Sequence, residues 1–217
     1  MKGRSESLLF AICLVLGAGL APIDPAAAET LTRSLRYFTI GGSTPEEIEA
    51  QLTKLGPQIN GSKNRHPGAT RIEFSSKITY ASTPQRCTVA AAAVNMKVDV
   101  ILPRWRRAAA ADVPARLFWD ALSTDIVRHE ESHLVIARNF ARKIERSLVK
   151  LPAAPDCDKM AETTKAAQQE ILARHEAEQQ RFDRVEAKSI DSRLIRKLQR
   201  RIDDITGKRP AREFTTR

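Results

Sequence analysis

Cysteine is scarce in this chain, three in 217 residues. None stands at the short spacing of a thiolate metal site, which argues against a Cys-based metal centre. Long apolar runs are missing as well. "SLLFAICLVLGAGL" covers 14 residues, where a bilayer-spanning helix takes about 20. No internal repeat and no low-complexity tract is visible. No nucleic-acid-binding motif accompanies the net charge of +10, so the basic balance does not imply a nucleic-acid partner.

The short apolar run has the pattern of an export signal. Lys2 and Arg4 precede it, and "AAA" before Glu29 fits a small-residue cleavage site. Cys13 lies inside the run behind Ile12, where lipoprotein processing needs a small residue, so it travels with the signal. Removal of positions 1–28 leaves a chain long enough for one domain with a real core. Cys87 and Cys157 then remain in a chain bound for an oxidising periplasmic or secreted location, and a disulfide between them is expected. It would close a separation of 70 residues, worth roughly 4 kcal/mol in the chain-entropy model. The last 30 residues hold 10 Lys/Arg against 4 Asp/Glu. They are expected to form a basic helical extension over 188–217, beyond a domain at 29–187, with contact to an anionic envelope surface as one use.

Hydrophobic periodicity predicts an α+β domain, with a small antiparallel sheet packed on a long helix and on a second long, antiparallel C-terminal helix. "LRYFTI" is a strand. "GGSTPEEIEAQLTKLGP" supplies a turn, a Thr44 cap, Pro45 in the first helical turn and a Gly-Pro stop. In "RIEFSSKITY" and in "VNMKVDV" apolar and polar residues alternate, the mark of half-buried strands. "PRWRR" should end the second of these, with Trp105 as a packing residue. From about Pro114 to Lys150 the period turns helical, and Leu122, Ile126, His129, His133, Ile136, Phe140 and Ile144 form one stripe. After "LPAAPDCD" a second helix is predicted from about Lys159 past Arg200. It ends in Ile195, Leu198, Ile202 and Ile205, spaced as a short coiled-coil seam for packing on the body or self-association.

His129, Glu130 and His133 form H-E-x-x-H within the first long helix. A spacing of four sets the imidazoles about 40° apart and one turn apart, so both reach one ion, while Glu130 stands about 100° round from His129. That arrangement suits zinc with a carboxylate left free to take a proton from water. A third ligand must come from elsewhere. From His133 to Leu151 the helix covers about 27 Å, and an antiparallel return from Asp158 covers about 26 Å at His175. His175 is therefore the expected third ligand. Glu178, on the same face, is the next choice, and Glu176 should be turned away. Asp183 overshoots the level of His129 by roughly 5 Å on this count, a gap that a side chain could absorb in part. His66, in a Pro/Gly loop, is expected to be exposed.

"YFTIGGSTPEEIEAQL", the Cys-initiated strand ending "ILPRW", "FWDALSTDIVRHEESHLVIA", "LPAAPDCD" and "RFDRVEA" follow one another in an order more specific than the motif alone. From about Tyr37 to Glu186 the chain resembles a bacterial family catalogued as domain of unknown function 922, described as predicted secreted zinc-dependent proteases. The resemblance implies a zincin-like peptidase acting on protein or peptide, with zinc at His129 and His133 and with Glu130 as the catalytic acid–base. Both mature cysteines match as well. Family members often carry an aromatic-Asp pair in the second helix followed by Thr-x-His-Gly. Here the pair is Phe182-Asp183, but the Thr, His and Gly positions hold Glu186, Lys188 and Ser189.

Overall fold

The computed structural model describes residues 30–59, 64–106 and 109–208; the expected signal segment with Cys13 lies outside them. The chain runs β1 (Leu31–Ile40), α1 (Pro45–Leu55), β2 (Ala69–Thr83), β3 (Arg86–Trp105), α2 (Val113–Leu148), α3 (Cys157–Ala187) and α4 (Ile190–Thr206). Helix starts follow their caps: Thr44, Asp112 and Asp156 each accept from a backbone N–H three residues on, which satisfies donors that the first turn cannot.

The sheet has the order β1-β3-β2. It is mixed, not antiparallel as expected. β2 and β3 form an antiparallel hairpin closed at Thr83/Arg86, whereas β1 pairs with β3 in parallel. The reason is connectivity: α1 and the whole of β2 intervene between β1 and β3, enough chain to bring β3 back in the direction of β1. Pro103 does not end β3. Beyond Ile101, the partner of Ala69, β3 pairs with β1 alone, so the missing N–H of Pro103 falls where no ladder needs it. Trp105 packs on Trp119 and donates its indole N–H to the Gly42 carbonyl at 3.1 Å.

One face of the sheet is wet, with Asp99 bonded to Ser34 and Arg36. The other carries Val94, Met96, Val98 and Val100 into the core against α2 and α3. No helix of the described residues is long and apolar enough to cross a membrane. Cys87 and Cys157 are disulfide-bonded, with Cα atoms 5.1 Å apart. The bond ties the start of α3 to the start of β3, next to the Cys87–Ala154 bridge. The second long helix is not continuous. It breaks at Lys188 and Ser189, and α4 turns to lie against α2.

Candidate metal centre

Two sides of α2 are in contact with other elements, one with the sheet and one with α3, and this divides the expected stripe. The buried line runs through Ile126, Glu130, Leu134, Ala137 and Ala141, while His129, His133, Ile136 and Phe140 are only partly buried. Glu130, at 4% exposure, is thus the member of the motif turned toward the sheet. Its Oε2 accepts from Thr70 Oγ1 at 2.8 Å. Its Oε1 lies so close under Gly68 that a Cβ there would sit 2.7 Å away. The same Cβ would also meet Ile126 Cγ2 at 2.9 Å, so glycine at this position leaves the carboxylate its room. Burial raises the Glu130 pKa, against the lowering effect of Thr70 and the neighbouring imidazoles.

The two motif histidines meet Asp183 of α3. His133 Nε2 is 3.0 Å from His129 Nε2, and Asp183 Oδ1 is 3.1 Å from the first and 3.3 Å from the second. Among the described residues this is the group of His, Cys, Asp and Glu side chains able to hold an ion. Three polar atoms at such separations cannot all be joined by protons. Each Nε2 carries at most one, so any assignment with an ionised carboxylate leaves one edge with two lone pairs or two hydrogens face to face. A cation in the middle removes the conflict. Ligands about 2.0–2.1 Å from a tetrahedral zinc lie roughly 3.3 Å from one another, close to the observed edges. The residues present therefore fit a divalent ion.

Neighbouring side chains fix the rings. Gln179 Oε1 is 2.6 Å from His133 Nδ1, and Gln179 Nε2 reaches the His133 carbonyl at 3.2 Å and His175 Nε2 at 2.8 Å. With both amide protons so used, Gln179 Oε1 accepts from His133 Nδ1–H and leaves Nε2 with its lone pair aimed at Asp183 and His129. Burial disfavours the charged form of His133, but contacts with Asp183 and Gln179 prevail and raise its pKa. Asp183 is held well below the ordinary carboxylate range: burial opposes this and the two imidazoles outweigh it. Phe182 stacks on His129 with ring centroids 5.0 Å apart and meets His133 edge-on at 5.1 Å. Glu186 faces His129 Nδ1 at 3.8 Å and is paired with Arg128 and Arg193.

The structure brings Asp183, not His175, to the two histidines. His175 is packed edge-on against Phe74 and Phe140 and bonded to Gln179; burial lowers its pKa and keeps it a neutral acceptor. The return helix starts further out than the helix count assumes. α2 ends at Leu148, and the linker carries Ala154 across to Cys87 before α3 begins at Cys157. Asp183 lies about 39 Å down α3 from Cys157, whereas His133 lies only about 22 Å back from Leu148. The outward path of the linker takes up the difference and sets the two at one level. Glu178 is paired with Arg181 outside the group, whereas Glu176 lines the cleft instead of turning away from it. Gln179, Thr70 and Gly68 escape a search for ligand residue types. Gln179 carries one detectable signal, since His175, Gln179 and Asp183 recur at every fourth position and share a face of α3.

A cleft of about 610 Å³ opens over the group. Its walls are Thr70–Glu73 of β2, the loop at His66–Gly68, and α3 from His175 to Asp183. His66, half-buried, stands at this wall instead of in open solvent. β2 is an edge strand, and among the described residues no strand pairs with its outer side. Tyr80 is committed elsewhere, with its hydroxyl 3.0 Å from Thr164 Oγ1.

A family model described as "Bacterial protein of unknown function (DUF922)" matches residues 35–189. No curated protein and no solved structure matches the chain.

Proposed function

The chain belongs to this bacterial family of unknown function, and because that description assigns no chemistry, we propose from the site itself that the protein is an exported zinc-dependent peptidase. One observation carries the proposal: His129, His133 and Asp183 present three ligand atoms at 3.0–3.3 Å from one another, with the acid Glu130 buried beside them. A disulfide and a leader-like N-terminus are compatible with export.

His129, His133 and Asp183 would hold the ion, which when bound acidifies water and polarises a carbonyl. Glu130 takes the proton of the attacking water on a carboxylate oxygen and passes it to the leaving amine nitrogen. Thr70 holds that carboxylate in one rotamer, and Gly68 leaves it room. Gln179 fixes the tautomer and the plane of His133. An extended peptide adds as a strand along Thr70–Glu73, the segment of β2 that lines the cleft.

Glu130→Gln tests the assignment. The variant should bind one equivalent of zinc and lose casein or peptide hydrolysis by about 10²–10⁴-fold. Turnover equal to that of the parent chain sinks the role of Glu130.

A second, non-enzymatic reading is favoured by one fact: the ligands come from two helices, so an ion would staple α2 to α3. It predicts that a chelator lowers the melting temperature of a chain that cuts neither protein, peptide nor cell-wall fragment.

A further inference from the structure

The cleft over the ion group is one end of a longer seam. β2 and α3 run antiparallel beside each other, and two contacts fix their alignment: Phe74 meets the His175 ring edge-on with centroids 5.0 Å apart, and the Tyr80 hydroxyl lies 3.0 Å from Thr164 Oγ1. From the first contact to the second, β2 covers about 20 Å and α3 about 17 Å. α3 packs on α2 and β3, and so leaves the edge strand partly uncovered. Val98 and Met96 of β3 are buried, whereas Ile72 and Phe74, their partners across the ladder, are only half-buried, as are Ile78 and Tyr80 further along β2. This half-open apolar stripe leads to a second depression of about 340 Å³, with Ile78 and Tyr80 on one wall and Ala161, Gln168 and Leu172 on the other.

We infer that this seam takes an unfolded polypeptide, held as an added strand along β2 from the ion group to the second depression, where an apolar side chain of the substrate is seated about six residues from the bond under attack. This substrate class rests on the peptidase reading and deepens it: the chains cut are extended and long, not di- or tripeptides. Three observations select this occupant. Among the described residues no strand pairs with the outer edge of β2, and its outward N–H and C=O groups are matched by another extended backbone, which a glycan or a lipid does not supply. The stripe recurs along β2 at the period of a strand, so alternate side chains of an added strand fall beside it. The seam is also continuous with the cleft, through Ile72, which lines the cleft, and through Phe74, which packs on the cleft residue His175.

The zinc-loaded Glu130→Gln variant separates binding from hydrolysis. By fluorescence anisotropy, a labelled dodecapeptide with leucine at alternate positions should bind it about 10–100-fold more tightly than a tetrapeptide of the same pattern, the range for burying an apolar side chain. Ala161→Trp, added to this variant from an exposed position on α3, fills the depression and should remove most of that advantage. Gln169→Trp, exposed at the same depression, should do the same. Equal affinity for the two lengths overturns the inference, and so does an advantage that both tryptophan variants leave intact. A peptidoglycan oligomer that binds more tightly than the dodecapeptide overturns it as well. Length-dependent binding without cleavage of the dodecapeptide by the parent chain upholds the occupant of the seam and refutes hydrolysis; cleavage without length dependence does the reverse.

Discussion

Two acid-centred clusters sit a turn or two apart along α2, and they are built oppositely. Asp125, 3% exposed, is bonded to Arg128, Arg193 and Lys197; its negative charge is met by permanent cations on three sides. Among the described residues Asp183 pairs with His129 and His133 and with no Lys or Arg, and the one ring nitrogen of His133 that could carry a proton without conflict is already engaged by Gln179. The first cluster is complete without help and joins α4 to α2. The second has no Lys or Arg partner among the described residues, and its ring nitrogens and carboxylate oxygen converge on one point. Protein cations make a joint in one place; in the other, two imidazoles and a carboxylate converge with the spacing of an ion site.

Paired substitutions sharpen this contrast. Asp125→Ala takes the acid from the half-buried Lys197 and leaves Arg128 and Arg193 with Glu186 alone; it should cost about 1.5–3 kcal/mol in chemical denaturation, while one equivalent of zinc is still bound. Asp183→Ala should do the reverse. It should weaken zinc binding by about 10²–10³-fold in competition with a chromophoric chelator and leave the metal-free stability unchanged or raised. If both variants lose stability and metal together, the clusters are one unit and the contrast fails.

A smaller effect is expected at Gln179→Ala, which frees the His133 ring and should weaken zinc binding about 10–100-fold. Gly68→Ala pushes a methyl group onto Glu130 Oε1. It should lower turnover while metal content stays at one equivalent, and full turnover would show that Glu130 need not occupy its observed position. Acid unfolding provides the mildest test. The contacts with Arg193, Lys197 and Arg128 overcome burial and hold Asp125 well below the ordinary carboxylate range. Its folded pKa is thus below the unfolded one, and the stabilisation is complete above about pH 4 and fades as pH falls toward the folded value. Asp125→Asn should flatten that part of the stability–pH curve.

The first long helix, the strand alternation, the Thr44 cap and the disulfide were legible because each depends on local chemistry or on a count of two cysteines. The two histidines of the motif were legible for the same reason, as spacing on a single helix fixes their convergence. The third member of the group was not. Its position depends on how far the linker at Val149–Asp156 carries the chain before α3 begins, and nothing local to Asp183 records that distance. The parallel pairing of β1 was hidden by the same kind of non-local connectivity. For α4, amphipathy reveals that two unlike faces exist but not which of them docks; here Asp125 and Glu186 recruit the charged one.

The disulfide has a consequence for what the chain can tolerate. Cys157 clamps the first turn of α3, and about seven turns later the same rod must present Asp183 to the two imidazoles, with Gln179 and His175 in phase below it. An insertion or deletion of a single position inside this stretch would rotate everything beyond it by about 100° and shift it by about 1.5 Å. The interval from Cys157 to Asp183 is thus a calibrated spacer whose length cannot drift. Side chains on its outer face are free to change; their number is not.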